Sequence, residues 1–362
     1  MRELRDILAA YEQLAARGER GVLASVAGVA GSTYRRAGAR MLVLADDTMV
    51  GLISGGCLEG DLLEHARAVR ETGTPKLVQY DHRGQDDIVW GLGLGCAGAV
   101  DVWLERVDAT QPGPLAQLGA WSEARTSGAI ATALDGARAG QRRTLDAQAG
   151  LLGTLAVAEV DAALENALAS GHGRRFTSAS GESIWLEMAR APVRLALFGA
   201  GPDAIPLSRI ARELGWDVVV SDHRAAYAVA ERFPGADVRH VEVAQSVVRA
   251  AVDARTHAIV MTHHYLHDRA ILAALLATPA PYIAVLGPKQ RTHDLLAEIA
   301  ATGPRVGDDE RARVFGPAGL DIGADAPEEI ALSICAEVQA FASGRSGGAL
   351  RERKGPIHEP AA

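Results

Sequence analysis

Two of the three cysteines stand inside glycine-rich runs, a setting that leaves sulfur accessible. Cys57 follows Ser54-Gly55-Gly56 at the expected start of a helix, where backbone amides and the positive end of the helix dipole favour a reactive thiolate. Cys96 lies in Gly91-Leu92-Gly93-Leu94-Gly95-Cys96-Ala97-Gly98. Free cysteines are commonly small buried hydrophobes, and Cys335 reads that way, on a helix face shared with Ile330, Ile334 and Val338. Core cysteines seldom sit inside glycine loops, so Cys57 and Cys96 read as functional. Arg35, Arg36 and Arg40 cluster in the loop Tyr34-Arg35-Arg36-Ala37-Gly38-Ala39-Arg40. They suit a bidentate grip on phosphate as well as a solvated hairpin mouth.

Two stretches carry the glycine spacing of a dinucleotide fingerprint. Gly93-Leu94-Gly95-Cys96-Ala97-Gly98 has the letters, but a strand follows it, where a pyrophosphate site needs a helix N-terminus. Gly199-Ala200-Gly201-Pro202-Asp203-Ala204 follows the apolar run Val193–Phe198 and opens a helix. Asp222 stands 21 residues after Gly201, at the end of the next strand, where a carboxylate accepts ribose hydroxyls. His223 and Arg224 beside it leave a phosphate as the other occupant. Thr262-His263-His264-Tyr265-Leu266-His267-Asp268 follows a further strand, at the carboxyl edge where such sheets bind ligands. Its histidines read as a polar rim to that crevice rather than a zinc site, because no partner pattern completes a metal set.

The elements that must position these residues divide the chain in two. In the N-terminal part, Leu4, Ile7, Leu8, Tyr11 and Leu14 share one face of a helix over 2–16. Strands are expected at Gly21–Val26, Met41–Leu44, Met49–Ile53, Lys76–Tyr80 and Val100–Leu104, with a helix from about Cys57 to Val69. Residues 106–190 show only weak alternation, around Ala129–Leu134 and Ser183–Leu186, and read as an irregular outer part of this domain. From Pro192 strands and helices alternate. Strands fall at Val193–Phe198, Asp217–Ser221, Ala258–Met261 and Tyr282–Leu286. Helices fall near 203–214, 225–232, 266–277, 290–301 and 327–342. The fold class is therefore α/β: an N-terminal α/β domain over 1–190 and a C-terminal Rossmann-type doubly wound parallel sheet over 191–343, with 344–362 as a disordered tail.

Composition bounds the function. The chain has 362 residues, long enough for two cores, with 48% hydrophobic and 23% charged residues. A net charge of −8 argues against nucleic-acid binding, and the apolar runs are too short to span a membrane. With no secretory signal pattern at the N-terminus, the expectation is a cytoplasmic protein.

Taken together these segments resemble the XdhC/CoxI family. The resemblance runs from about Leu8 to Phe341 and is weakest over 106–190. Its most specific pieces are Gly31-Ser32-Thr33-Tyr34-Arg35-Arg36-Ala37-Gly38-Ala39-Arg40-Met41, Gly51-Leu52-Ile53-Ser54-Gly55-Gly56-Cys57-Leu58-Glu59 and Gly93-Leu94-Gly95-Cys96. In the C-terminal part they are Phe198-Gly199-Ala200-Gly201, Met261-Thr262-His263, Leu286-Gly287, Gly316–Gly323 and Pro327–Ala331. Ala97 departs from the family's usual second glycine after the cysteine, and His263-His264 and Gly287-Pro288-Lys289-Gln290-Arg291 are variant forms.

The resemblance implies a chaperone that binds the molybdenum cofactor, as molybdopterin or a dinucleotide form. Such a chaperone protects the cofactor while a cysteine desulfurase installs its sulfido ligand, and delivers it to a xanthine dehydrogenase-type molybdoenzyme. It implies a homodimer with no catalytic residues of its own. Cys57 and Cys96 then serve as soft metal ligands, with Gly55, Gly56, Arg35, Arg36 and Arg40 at the cofactor and its phosphate. Gly199, Gly201, Asp222, Arg224 and His263 would hold NAD(P) or another nucleotide. The alternative is an NAD(P)-linked oxidoreductase using the Rossmann domain, and a third reading is a pure interaction module. The catalytic subunit of a molybdenum hydroxylase is excluded, because each iron–sulfur cluster takes four cysteines and the chain has three.

Overall fold

The structure is a computed structural model that describes residues 2–31, 33–81, 98–302 and 306–354. It contains two compact units, one from residue 3 to 191 and one from residue 192 onward. Among the described residues no helix is long and apolar enough to cross a membrane.

The first unit holds two antiparallel five-stranded sheets. Helix α1 (Arg2–Ala16) precedes β1 (Gly21–Gly31), β2 (Arg40–Val43) and β3 (Met49–Gly51). Helix α2 (Glu59–Thr72), β4 (Lys76–Asp81) and β5 (Gly98–Val107) complete the first sheet, in the order β3-β2-β1-β5-β4. Alternation along β1 sorts its side chains. Val22, Ala24 and Val26 pack with Leu62, Ala66 and Val69 of α2, while Leu23 meets Ile7 of α1 on the opposite face. Helix α2 stops at Gly73, whose left-handed conformation lets its N–H return to Val69 O at 2.9 Å.

Residues 106–190 correct the reading of an irregular region. They continue from β5 through α3 (Leu115–Ala124), β6 (Gly128–Ala133), β7 (Arg142–Asp146), β8 (Gly150–Gly153), α4 (Ala158–Ser170), β9 (Arg175–Thr177) and β10 (Ser183–Ala189). The second sheet runs β8-β7-β6-β10-β9. Its two weakly alternating segments are neighbouring strands, β6 and β10, buried on both faces. Burial on both faces removes the polar positions that make alternation visible. Val160, Leu164 and Ala167 of α4 cover one face, and Trp185 meets Trp103 of the first sheet on the other.

The second unit is a Rossmann fold. Strands β11 (Arg194–Phe198), β12 (Asp217–Asp222), β13 (Asp237–His240), β14 (Thr256–Val260), β15 (Tyr282–Val285) and β16 (Val314–Phe315) form one parallel sheet in the order β13-β12-β11-β14-β15-β16. The order reverses between β11 and β14, the switch point where such folds open a crevice. Helices α5 (Ala204–Glu213) and α10 (Pro327–Ala342) cover one face through Leu207, Ala211, Ile334, Cys335 and Val338. Helices α6 (Val243–Arg249), α7 (Tyr265–Leu276) and α8 (Lys289–Thr302) cover the other, while α9 (Asp308–Ala312) leads into β16. The helix expected over 225–232 is absent: only a 3₁₀ turn, Ala230–Arg232, forms there. Arg232 donates through Nη1 to the carbonyls of Ala200 and Tyr227 at 2.8 Å each, which folds the segment back on the glycine turn. Residues 344–354 are exposed apart from Arg353 and carry one 3₁₀ turn, Leu350–Glu352, and the rest of the expected tail lies outside the described residues.

Candidate functional site

Strand register brings the motif loops of the first unit to one end of its first sheet. Ser25 of β1 pairs with Arg40 and Met41 of β2 pairs with Gly51 of β3, so the loop before β2 and the loop after β3 leave side by side. β1 runs on past them, and Gly31 pairs with Gly98 of β5, which leaves the neighbouring ends Asp81 and Gly98 pointing the same way. Cys96 lies outside the described residues, but the strands on either side of its segment end in this direction.

The Cys57 loop is shaped by two residues not singled out in the sequence, Ser54 and Glu59. Ser54 Oγ accepts the amide hydrogens of Gly56, Cys57 and Leu58 at 3.1–3.2 Å. Glu59 accepts the Ser54 amide at 3.1 Å, the Leu58 amide at 3.1 Å and the Ser54 hydroxyl. Helix α2 therefore begins at Glu59, two residues later than expected, and the amides expected to favour a thiolate are already committed to Ser54 and Glu59. A serine followed five residues later by glutamate, flanking a glycine pair, was the available signal. Gly55, Gly56 and Cys57 are exposed. Gly56 takes φ +102°, open to glycine, and a side chain at either glycine would meet nothing within 4 Å. The loop thus presents bare backbone and a free thiol.

The three arginines separate. Arg36 is exposed. Arg35 is partly exposed and pairs with Glu3 Oε1 at 2.6 Å. Arg40 does not join them: it is 7% exposed, its Nη1 donates to Gly38 O at 2.9 Å, and its Nη2 pairs with Glu187 of β10, also 7% exposed. Burial pushes its guanidinium down to about 10, against the pull of Glu105 and Glu3, so it stays charged at neutral pH. Arg40 joins the two sheets of the unit instead of facing the loop surface. A cleft of about 470 Å³ adds a further polar group, with Arg175 of β9 paired to Asp101 of β5 beside Gly28 and Tyr80. No spacing signal linked Arg175 to Asp101, which stand in different sheets.

In the Rossmann unit β11 lies between β12 and β14, so Gly199, Asp222 and His263 end up at one edge. Gly199 takes φ +124°, and a Cβ there would collide with Met261 O. At Gly201 a Cβ would stand 2.5 Å from Asp203 Oδ1, and His263 Nε2 lies 2.7 Å from Asp203 Oδ2. Asp222 is buried. Its Oδ1 accepts from the Arg224 amide at 2.8 Å and from Nε at 2.9 Å, and its Oδ2 from the Ala200 amide and Arg224 Nη2 at 2.7 Å each. Burial raises its pKa, but these bonds outweigh burial and hold it at about 2. Among the described residues no group of three His, Cys, Asp or Glu side chains is placed to hold a metal ion.

Against known proteins, the XdhC Rossmann domain description matches residues 195–338 and that of the XdhC and CoxI family matches residues 14–81. The chain is 32% identical over 321 residues to a probable xanthine dehydrogenase subunit of Bacillus subtilis, covering 88% of this chain and 92% of that one. The chain belongs to the XdhC and CoxI family. A second relative is the molybdenum cofactor insertion chaperone PaoD of Escherichia coli, 23% identical over 89% of this chain and 83% of its own. A crystal structure described as a xanthine dehydrogenase of Bacillus halodurans is 31% identical, covers 95% of this chain and 98% of its own, and superposes with a TM-score of 0.76. The Cys57 loop falls inside the XdhC and CoxI match and the Gly199 turn inside the XdhC Rossmann match.

Proposed function

We propose that this XdhC-type protein is an accessory factor that binds the molybdenum cofactor and delivers it to a xanthine dehydrogenase-family enzyme. The observation that carries this reading is the free thiol of Cys57 on a glycine loop whose backbone stays open among the described residues. A thiolate is a soft donor suited to a thiophilic metal, and the neighbouring loop supplies Arg35 and Arg36 for a phosphate. The donor set fits the cofactor as cargo: Cys57 at the metal, the unobstructed backbone of Gly55 and Gly56 against the ligand, and arginine at the phosphate. The insertion role of the Escherichia coli relative supports the same reading. Protection during sulfuration by a cysteine desulfurase, Cys96 as a second ligand, and a homodimer belong to this proposal through the family resemblance. Asp222 weighs against the oxidoreductase alternative, since the carboxylate that would receive a ribose is already fully bonded.

The test is Cys57→Ala in cells that make molybdenum cofactor. The purified variant is expected to lose bound molybdenum while keeping the far-ultraviolet spectrum and melting temperature of the parent, because an exposed loop sulfur holds little stability. Cys335, whose thiol burial pushes up to about 12, is the control: Cys335→Ala is expected to keep the cofactor and show only a packing defect. A client enzyme made beside the Cys57 variant should assemble without active, sulfurated cofactor. Full molybdenum content and a normally active client would overturn the proposal.

A further inference from the structure

The Rossmann crevice is built differently from the dinucleotide site its glycines announce. A carboxylate offers about four acceptor positions, and Asp222 uses four, three of them on Arg224 and one on the Ala200 amide. No acceptor is left for a ribose diol. Over Gly201, where a pyrophosphate would approach, stands the Asp203 carboxylate held by His263. Negative charge therefore occupies the place that a dinucleotide needs for its own.

The same bonds aim a cation. Asp222 holds Nε and Nη2 of Arg224, the guanidinium lies 3.9 Å from the Tyr227 ring centroid, and the side chain stays 36% exposed. Among the described residues its Nη1 hydrogens and one on Nη2 stay uncommitted, in a planar fork suited to phosphate oxygens. Three imidazoles cluster through its chain neighbour His223. His267 stacks on His264 with centroids 4.0 Å apart and meets His223 edge-on at 4.6 Å. His223 follows β12 and His267 lies on α7 after β14, so this contact bridges the end of β11. His264 Nδ1 accepts the His267 amide at 3.4 Å, which leaves the His264 proton on Nε2, an exposed donor. His267 Nδ1 is buried with no partner among the described residues, a polar atom of this cluster that a ligand would satisfy.

We propose that this crevice is a phosphomonoester site with Arg224 as its principal donor, and that it excludes NAD⁺. The phosphate can arrive on a nucleotide or on a pterin. The proposal stands on the Rossmann unit alone and does not depend on Cys57.

Calorimetry on the full-length protein tests it with matched pairs: 2′-AMP and 5′-AMP against adenosine, and hydroxymethylpterin phosphate against hydroxymethylpterin, with NAD⁺ as the excluded ligand. In at least one family the phosphorylated member is expected to bind about tenfold or more tightly than its partner, and the family that responds identifies the source. Arg224→Lys keeps the charge but loses the fork and is expected to remove most of that preference. His264→Asn retains a side-chain acceptor for the cap and is expected to weaken the phosphorylated ligand by a smaller factor. The ligand pairs need no variant, so a folding defect in Arg224→Lys leaves the proposal open to refutation. Equal binding within every pair, binding by none, or NAD⁺ binding as well as the monophosphates would overturn it.

Discussion

At Gly55 and Gly56 an added side chain would point into open space, whereas at Gly199 it would strike the Met261 carbonyl of the neighbouring strand end. Both runs contain the small residues expected where a ligand meets backbone. In the Rossmann unit the glycine lets two strand ends close together, and the space above Gly201 is filled by Asp203 and His263. In the first unit the loop is held from beneath by Ser54 and Glu59, and its outer surface stays bare. A glycine motif thus shows that something comes close to the backbone. It does not distinguish the protein's own chain from a ligand.

The arginines extend the contrast, and they give the largest expected effect. Arg40→Ala leaves Glu187 buried without its cation and is expected to destabilise the first unit by roughly 3–5 kcal/mol, read from urea unfolding. Arg35→Ala removes a partly exposed pair, for which about 1 kcal/mol or less is expected. Similar losses for the two would show that Arg40 is not the joint between the sheets.

The glycines come next. Gly199→Ala combines a left-handed φ with a backbone collision and is expected to destabilise by about 3 kcal/mol. Gly55→Ala has room and is expected to change stability by no more than about 0.5 kcal/mol while weakening molybdenum retention. A stability loss at Gly55 equal to that at Gly199 would erase the distinction between packed and bare loops.

The last effect is confined to acid. Asp222, held at about 2 when folded, titrates near 3.9 when unfolded. Its contribution is therefore fully present above about pH 4 and is lost as pH falls from there toward 2. Asp222→Asn should flatten stability against pH in that window and leave the profile above pH 5 parallel to the parent. An unchanged acid limb would mean that the Arg224 pairing is weaker than its geometry.

The Rossmann unit was largely legible because its signals are local. Apolar runs of five residues, a glycine turn and an acidic strand end repeat in order, and the strands β11, β12, β14 and β15 fall within two residues of their expected bounds. The missed strand β13 and helix α6 are short, four and seven residues, and carry little periodicity. The second sheet of the first unit was illegible for a different reason. β6 and β10 are buried on both faces and pair across about fifty residues of intervening chain.

What the sequence determined by itself was chemistry type and order: which residues are thiols, cations and carboxylates, where glycine permits close approach, and which family the motifs match. Tertiary structure decided which of those groups are available. Arg35, Arg36 and Arg40 are three arginines within six positions, yet only the third is buried, because β2 places it beside β10 and Glu187. Asp222 keeps its place at the strand end but gives all its acceptor positions to Arg224 and Ala200. Hydrogen bonding and burial depend on neighbours brought together by folding, and a side chain already satisfied by such a neighbour has little left to offer a ligand.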